Sequence, residues 1–90
     1  MLGYQSYQHR RIFDVDESAI RNVLLSHWAL MGITVSKEHN DACQREISER
    51  ILCGSSEHEL AEKLATYDRD QGAVPDFYAC YLAARAMLAL

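Results

Sequence analysis

Four side chains in this sequence are of types that zinc accepts: His39, Cys43, Cys53 and His58, spaced His-x3-Cys-x9-Cys-x4-His. On a helix His39 and Cys43 share one face, and Cys53 and His58 flank Gly54. A tetrahedral centre needs all four donors within about 2.0–2.3 Å of one point. The two pairs lie roughly 15 Å apart along a regular helix, and Cys53 then points away from Cys43. The competing reading is a half-buried Cys43, a helix-end Cys53 and two solvent-facing histidines. The expectation is therefore no metal and no cofactor.

Other chemistry is weaker still. A cysteine nucleophile needs a base in hydrogen-bond reach and a group that orients the base. Cys43 with His39 is the nearest candidate, and a buried thiol beside an exposed imidazole explains it as well. No Gly-rich phosphate loop and no His-Glu-x-x-His occurs. Asp68-x-Asp70-x-Gly72 and Asp14-x-Asp16-x-Ser18 fail as calcium loops, because Ala79 and Leu25 stand where the closing glutamate belongs. No catalytic residue is assigned and no enzymatic activity is expected. His27 falls inside an apolar stripe. It reads as a core histidine bonded to backbone or hydroxyl, against the sharper reading of a pH-sensitive contact.

Helices must position these groups. The chain has 90 residues, 49% of them apolar and 24% charged, with 4 Gly and 1 Pro. That suits one globular domain and disfavours a sandwich or barrel rich in turns. The expected fold is all-α: a compact bundle of three to four helices over residues 14–90, behind an irregular N-terminal arm at 1–13.

A first helix is predicted over 17–31, capped by Asp14 or Asp16 and ended by Gly32, with Ile20, Val23, Leu24, His27, Leu30 and Met31 on one side and Trp28 at its edge. A second runs from a Ser36 cap to about Cys53, with a narrow stripe of Cys43, Ile47 and Ile51 and charge pairs Asp41/Arg45 and Glu46/Arg50. A third opens at a Ser56 capping box and runs to about Asp68, with Leu60, Leu64 and Tyr67 inward and a loop at 68–72. Pro75 is placed as the first residue of a fourth.

The fourth helix is apolar on two sides. Phe77, Tyr81, Ala84 and Leu88 form one, Tyr78, Leu82 and Ala86 the other, and Arg85 is the single charge from Phe77 to Leu90. Such a helix is central to a bundle or shared with a partner. Met87-Leu88-Ala89-Leu90 keeps this character to the last residue. Phe77, Tyr78, Tyr81, Leu82 and Leu88 are the predicted partner or dimer interface.

Charge bears on partners. Residues 1–13 carry Arg10 and Arg11 and no acid; the remainder holds 7 Lys and Arg against 13 Asp and Glu. An acidic body is a poor binder of phosphate backbone. Tyr4, Tyr7, Arg10 and Arg11 are the candidate arm contacts, with a plain tail as the simpler reading. A helix-turn-helix is disfavoured, because the would-be recognition helix is almost wholly apolar. Three cysteines fit no disulfide framework, Met1 to Arg11 lacks the apolar stretch of a signal peptide, and no segment is long enough to cross a membrane, so a cytoplasmic protein is expected.

From about residue 40 to 90 the plan is helix, Gly, short linker, helix, loop, helix. In layout it is similar to small enteric connector proteins of the biofilm and acid-resistance type, with no counterpart for the first 35 residues and no shared diagnostic motif. That resemblance implies a dimeric regulator acting through protein contacts. The residues themselves lead to the same class: a protein–protein interaction module, acting as regulator, adaptor or inhibitor, of the kind that bacteria and phages encode. The alternatives are a metal- or redox-responsive sensor using Cys and His, and a nucleic-acid-associated regulator with a basic arm.

Overall fold

The computed structural model describes residues 15–90, so the arm and its Tyr4, Tyr7, Arg10 and Arg11 lie outside the described residues. Four helices follow in order: α1 Glu17–Met31, α2 Lys37–Leu52, α3 Glu57–Asp70 and α4 Phe77–Leu88. The described residues form no strand. None of these helices is long and apolar enough to cross a membrane.

Local chemistry sets the helix starts. The first free amides of a helix need acceptors, and short oxygen-bearing side chains supply them. Asp16 accepts from Ala19 N–H at 3.0 Å, Ser36 from His39 N–H at 3.1 Å and Ser56 from Glu59 N–H at 3.1 Å. Glu59 completes the third cap by accepting from Ser56 N–H at 2.7 Å. α4 starts later than expected. Asp76 is its cap and accepts from Ala79 N–H, which leaves Pro75 outside the helix rather than as its first residue. At the far end of α1, Gly32 takes φ 73°, and Ile33 N–H donates back to the Trp28 carbonyl at 2.8 Å.

α3 also runs two residues further than the sequence suggests. Asp68 is helical rather than the start of a loop, and Gly72 at φ 85° lets Ala73 N–H close back onto the Asp68 carbonyl at 3.0 Å. This places the Asp68 side chain on the inner face of the last turn.

α1 packs against α2 on one side and α4 on the other, and α4 packs against α3. Ile20, Leu24, Trp28, Ile47, Leu60, Leu64, Cys80 and Met87 fill the space between them, each at most 1% exposed. Two expectations are corrected here. Trp28 belongs to the core, whereas Leu30 is 72% exposed. The α1 stripe is thus rotated towards Trp28, because α2 covers that edge. Asp41 pairs with Arg21 at 2.7 Å and Lys37 at 3.3 Å rather than with Arg45, since α1 brings a nearer cation. The Glu46–Arg50 pair forms, at 4.0 Å.

On α4 neither bulky row is buried as a whole: Ala84 is buried and Tyr81 half-buried, while the other large residues of both rows stay outside. The helix turns Ala79, Cys80, Ala83, Ala84 and Met87 inward and leaves Phe77, Tyr78, Leu82 and Leu88 exposed. Small side chains let α4 approach α3 closely, and that proximity outweighs the bulk of the residues left outside.

Candidate functional site

Three polar side chains meet inside the bundle. His27 comes from the middle of α1, Asp68 from the last turn of α3 and Cys80 from the first turn of α4. The His27 Nε2–H donates to Asp68 Oδ2 at 2.7 Å. Cys80 Sγ lies 3.7 Å from that same oxygen and 3.9 Å from the same ring nitrogen. The His27 and Asp68 side chains are 1% and 0% exposed, and Cys80 is fully buried. His27 Nδ1 and Asp68 Oδ1 have no hydrogen-bond partner.

This pair does structural work first. A buried carboxylate opposite an imidazole is tolerated only when the two face each other, so α1 and α3 are held in one register. The Cys80 thiol is pushed up to about 12, by burial first and then by the charge and hydrogen bond of Asp68. A thiol held protonated is a poor nucleophile. The geometry points the same way. Asp68 and Cys80 crowd one ring nitrogen, whereas a relay needs the acid on one nitrogen and the nucleophile on the other.

His27 also lies on the floor of a groove of about 350 Å³ between α1 and α4. Val23 and Leu30 line it from α1, and Ala79, Leu82, Ala83 and Ala86 from α4, with Asn22 and Ser26 beside them. Apart from His27, no lining residue is ionisable.

The residues singled out from the sequence are distributed differently. His39 and Cys43 do meet, at 3.6 Å. Cys53 is exposed at the end of α2, and His58 contacts Tyr81 of α4 and Glu62 of α3, so the four do not converge. Among the described residues, His27, Asp68 and Cys80 are the group of metal-capable side chains that does. The apolar stripe of α1 makes the core position of His27 legible and suggests a backbone or hydroxyl partner. A carboxylate 41 residues away is what it finds. Cys80 and Asp68 carried no local signal beyond their residue types.

Of the predicted interface, Phe77, Tyr78, Leu82 and Leu88 are 50%, 74%, 45% and 38% exposed. Tyr81 is half-buried and hydrogen-bonded to His58. Among the described residues, Arg21, Lys37, Arg50, Lys63 and Arg85 each lie within 4.0 Å of a carboxylate.

Comparison with protein-family models, with curated proteins and with solved structures finds no match. The layout resemblance to enteric connector proteins gains no support from them.

Proposed function

We propose that this chain is a protein–protein interaction module that works as a pair of identical copies, joined through α4 and the groove beside it. One observation carries the reading: α4 spends its small residues on the core and shows Phe77, Tyr78, Leu82 and Leu88 to the outside. Leaving a large apolar side chain in water forgoes about 1.5–3 kcal/mol relative to burying it.

Charge selects the occupant. The chain carries a net charge of −4, so two copies repel over most of their surface. The groove is the exception, lined by apolar and neutral residues. The one charge on α4, Arg85, is already turned to Glu57 at 3.2 Å. A basic partner would find no carboxylate in this groove, whereas the apolar outer residues of a second copy's α4 suit it. In a two-fold contact each Leu82 faces the other copy's Val23, Leu30 and Ala86.

Light scattering at several micromolar concentrations tests the pairing. The expected mass is twice that of the chain, falling to the chain mass for Leu82→Asp with helicity retained. A single-chain mass for the unmodified protein across that range would overturn it.

A further inference from the structure

His27, Asp68 and Cys80 bring three donor types that zinc takes from three different helices to one buried point. We infer that they form a zinc-binding site that clips α1, α3 and α4 together. The site does not depend on the pairing of copies, since all three donors belong to one chain and converge beneath the groove.

The fit is geometric. Nε2, Oδ2 and Sγ form a triangle with edges of 2.7, 3.7 and 3.9 Å. Its circumradius is about 2.0 Å, so one point lies close to zinc bonding distance from all three atoms. Around a tetrahedral ion with ordinary bond lengths, N···O is about 3.3 Å and the distances to sulfur are about 3.5 Å. The sulfur edges are within a few tenths of an ångström of that. Only the Nε2–Oδ2 edge must open, by about 0.6 Å, as the ion takes the place of the hydrogen-bonding proton.

Charge balance also fits. One thiolate and one carboxylate cancel the dication, and the imidazole is neutral. A buried site of zero net charge avoids the penalty that an uncompensated ion would incur. On binding, bonds to nitrogen, oxygen and sulfur form and the Cys80 S–H bond breaks, its proton passing to solvent. The proton between His27 Nε2 and Asp68 Oδ2 moves to Nδ1, so the coordinating imidazole stays neutral. No atom changes oxidation state. The high thiol pKa is no barrier, because a coordinating metal deprotonates a thiol outright.

One of the two unpartnered atoms gains a role in this arrangement: His27 Nδ1 is free to carry the ring proton. As a hydrogen-bonded pair alone, the same cluster leaves both atoms buried without partners, which is unfavourable.

The experiment is a cobalt(II) titration of the chelator-treated full chain, followed by displacement with zinc. One equivalent should bind, with a near-ultraviolet thiolate-to-cobalt band and the visible bands of a tetrahedral ion. Cys80→Ser should abolish the thiolate band and weaken binding by about 100-fold, while Cys43→Ser and Cys53→Ser change neither. Absence of binding by the folded wild-type chain, or a thiolate band that survives in folded Cys80→Ser, would overturn the site. X-ray absorption of the zinc-loaded wild type decides the matter without any variant. One sulfur at about 2.3 Å with lighter donors at about 2.0 Å is expected, and two or more sulfurs, or none, would refute it.

Discussion

Cys43 lies 3.6 Å from His39, and Cys80 lies 3.9 Å from His27. By distance the two pairs are near equals, yet their surroundings differ. His39 and Cys43 share one helix, so their contact follows from i,i+4 spacing alone. The His39 ring stays half-buried, near Trp28 with centroids 6.2 Å apart and beside Gln71 at 3.3 Å. Cys43 feels the charge of Glu46, which accepts from the Tyr67 hydroxyl at 2.5 Å while Lys63 holds its other oxygen at 2.7 Å. Those charges reach the surface and are solvated. The His27 and Cys80 pair is made by packing across three helices and encloses a carboxylate with no exposure. Local spacing gives contact; only tertiary packing gives enclosure, and enclosure is what makes a polar cluster costly to disturb.

The sharpest break of this contrast is to remove one carboxylate from each region. Asp68→Ala leaves the His27 imidazole buried beside a void and should cost about 3–5 kcal/mol. Glu46→Ala acts on a side chain 39% exposed and should cost no more than about 1 kcal/mol. Asp68→Asn, which keeps the volume and one acceptor, should fall between. Urea denaturation midpoints measure all three. Equal losses at Asp68 and Glu46 would mean that the buried cluster is no more consequential than the surface one.

In the metal-free chain both buried thiols should make the fold sensitive to alkali. Cys43 is pushed up from 9.0 to about 11, by burial and then the charge of Glu46, and Cys80 from 9.0 to about 12. Above pH 9 the unfolded chain releases these protons while the folded chain keeps them. Stability is thus fully present below about pH 9 and is lost as pH rises towards 11–12, by up to about 1.4 kcal/mol per pH unit for each thiol. The urea midpoint should fall between pH 9 and 10.5, and Cys80→Ser or Cys43→Ser should each flatten the slope. A midpoint unchanged over that range would contradict the burial of both.

The same contrast explains what could be read beforehand. Caps are decided within four residues, so Asp16, Ser36 and Ser56 were legible and three helix starts follow from them. The α4 start was not, because Pro75 and Asp76 both suit a helix entrance and only packing decides between them. The α4 core face was missed by weighting bulk. Ala79, Ala83 and Met87, with Cys80 and Ala84 beside them, form a stripe at four-residue spacing that points to close helix approach. Asp-Arg-Asp-Gln-Gly is so polar that Asp68 reads as loop. Its partner lies 41 residues away in α1, and no window of sequence contains both.

The smallest expected effect completes the comparison. His39→Ala removes a ring that contacts Cys43, Trp28 and Gln71, so by its neighbours it looks as well placed as His27. Its ring is only half-buried, however, and what its loss leaves behind in the core is the weakly polar Cys43 thiol. The expected change is within about 0.5 kcal/mol, the ordinary range for a surface substitution. His27→Ala strands Asp68 in the core and should cost several times more. Thermal midpoints of the two variants, measured side by side, give the test. A His39→Ala loss as large as that of His27→Ala would show that contact, rather than enclosure, sets the cost of disturbing a histidine in this bundle.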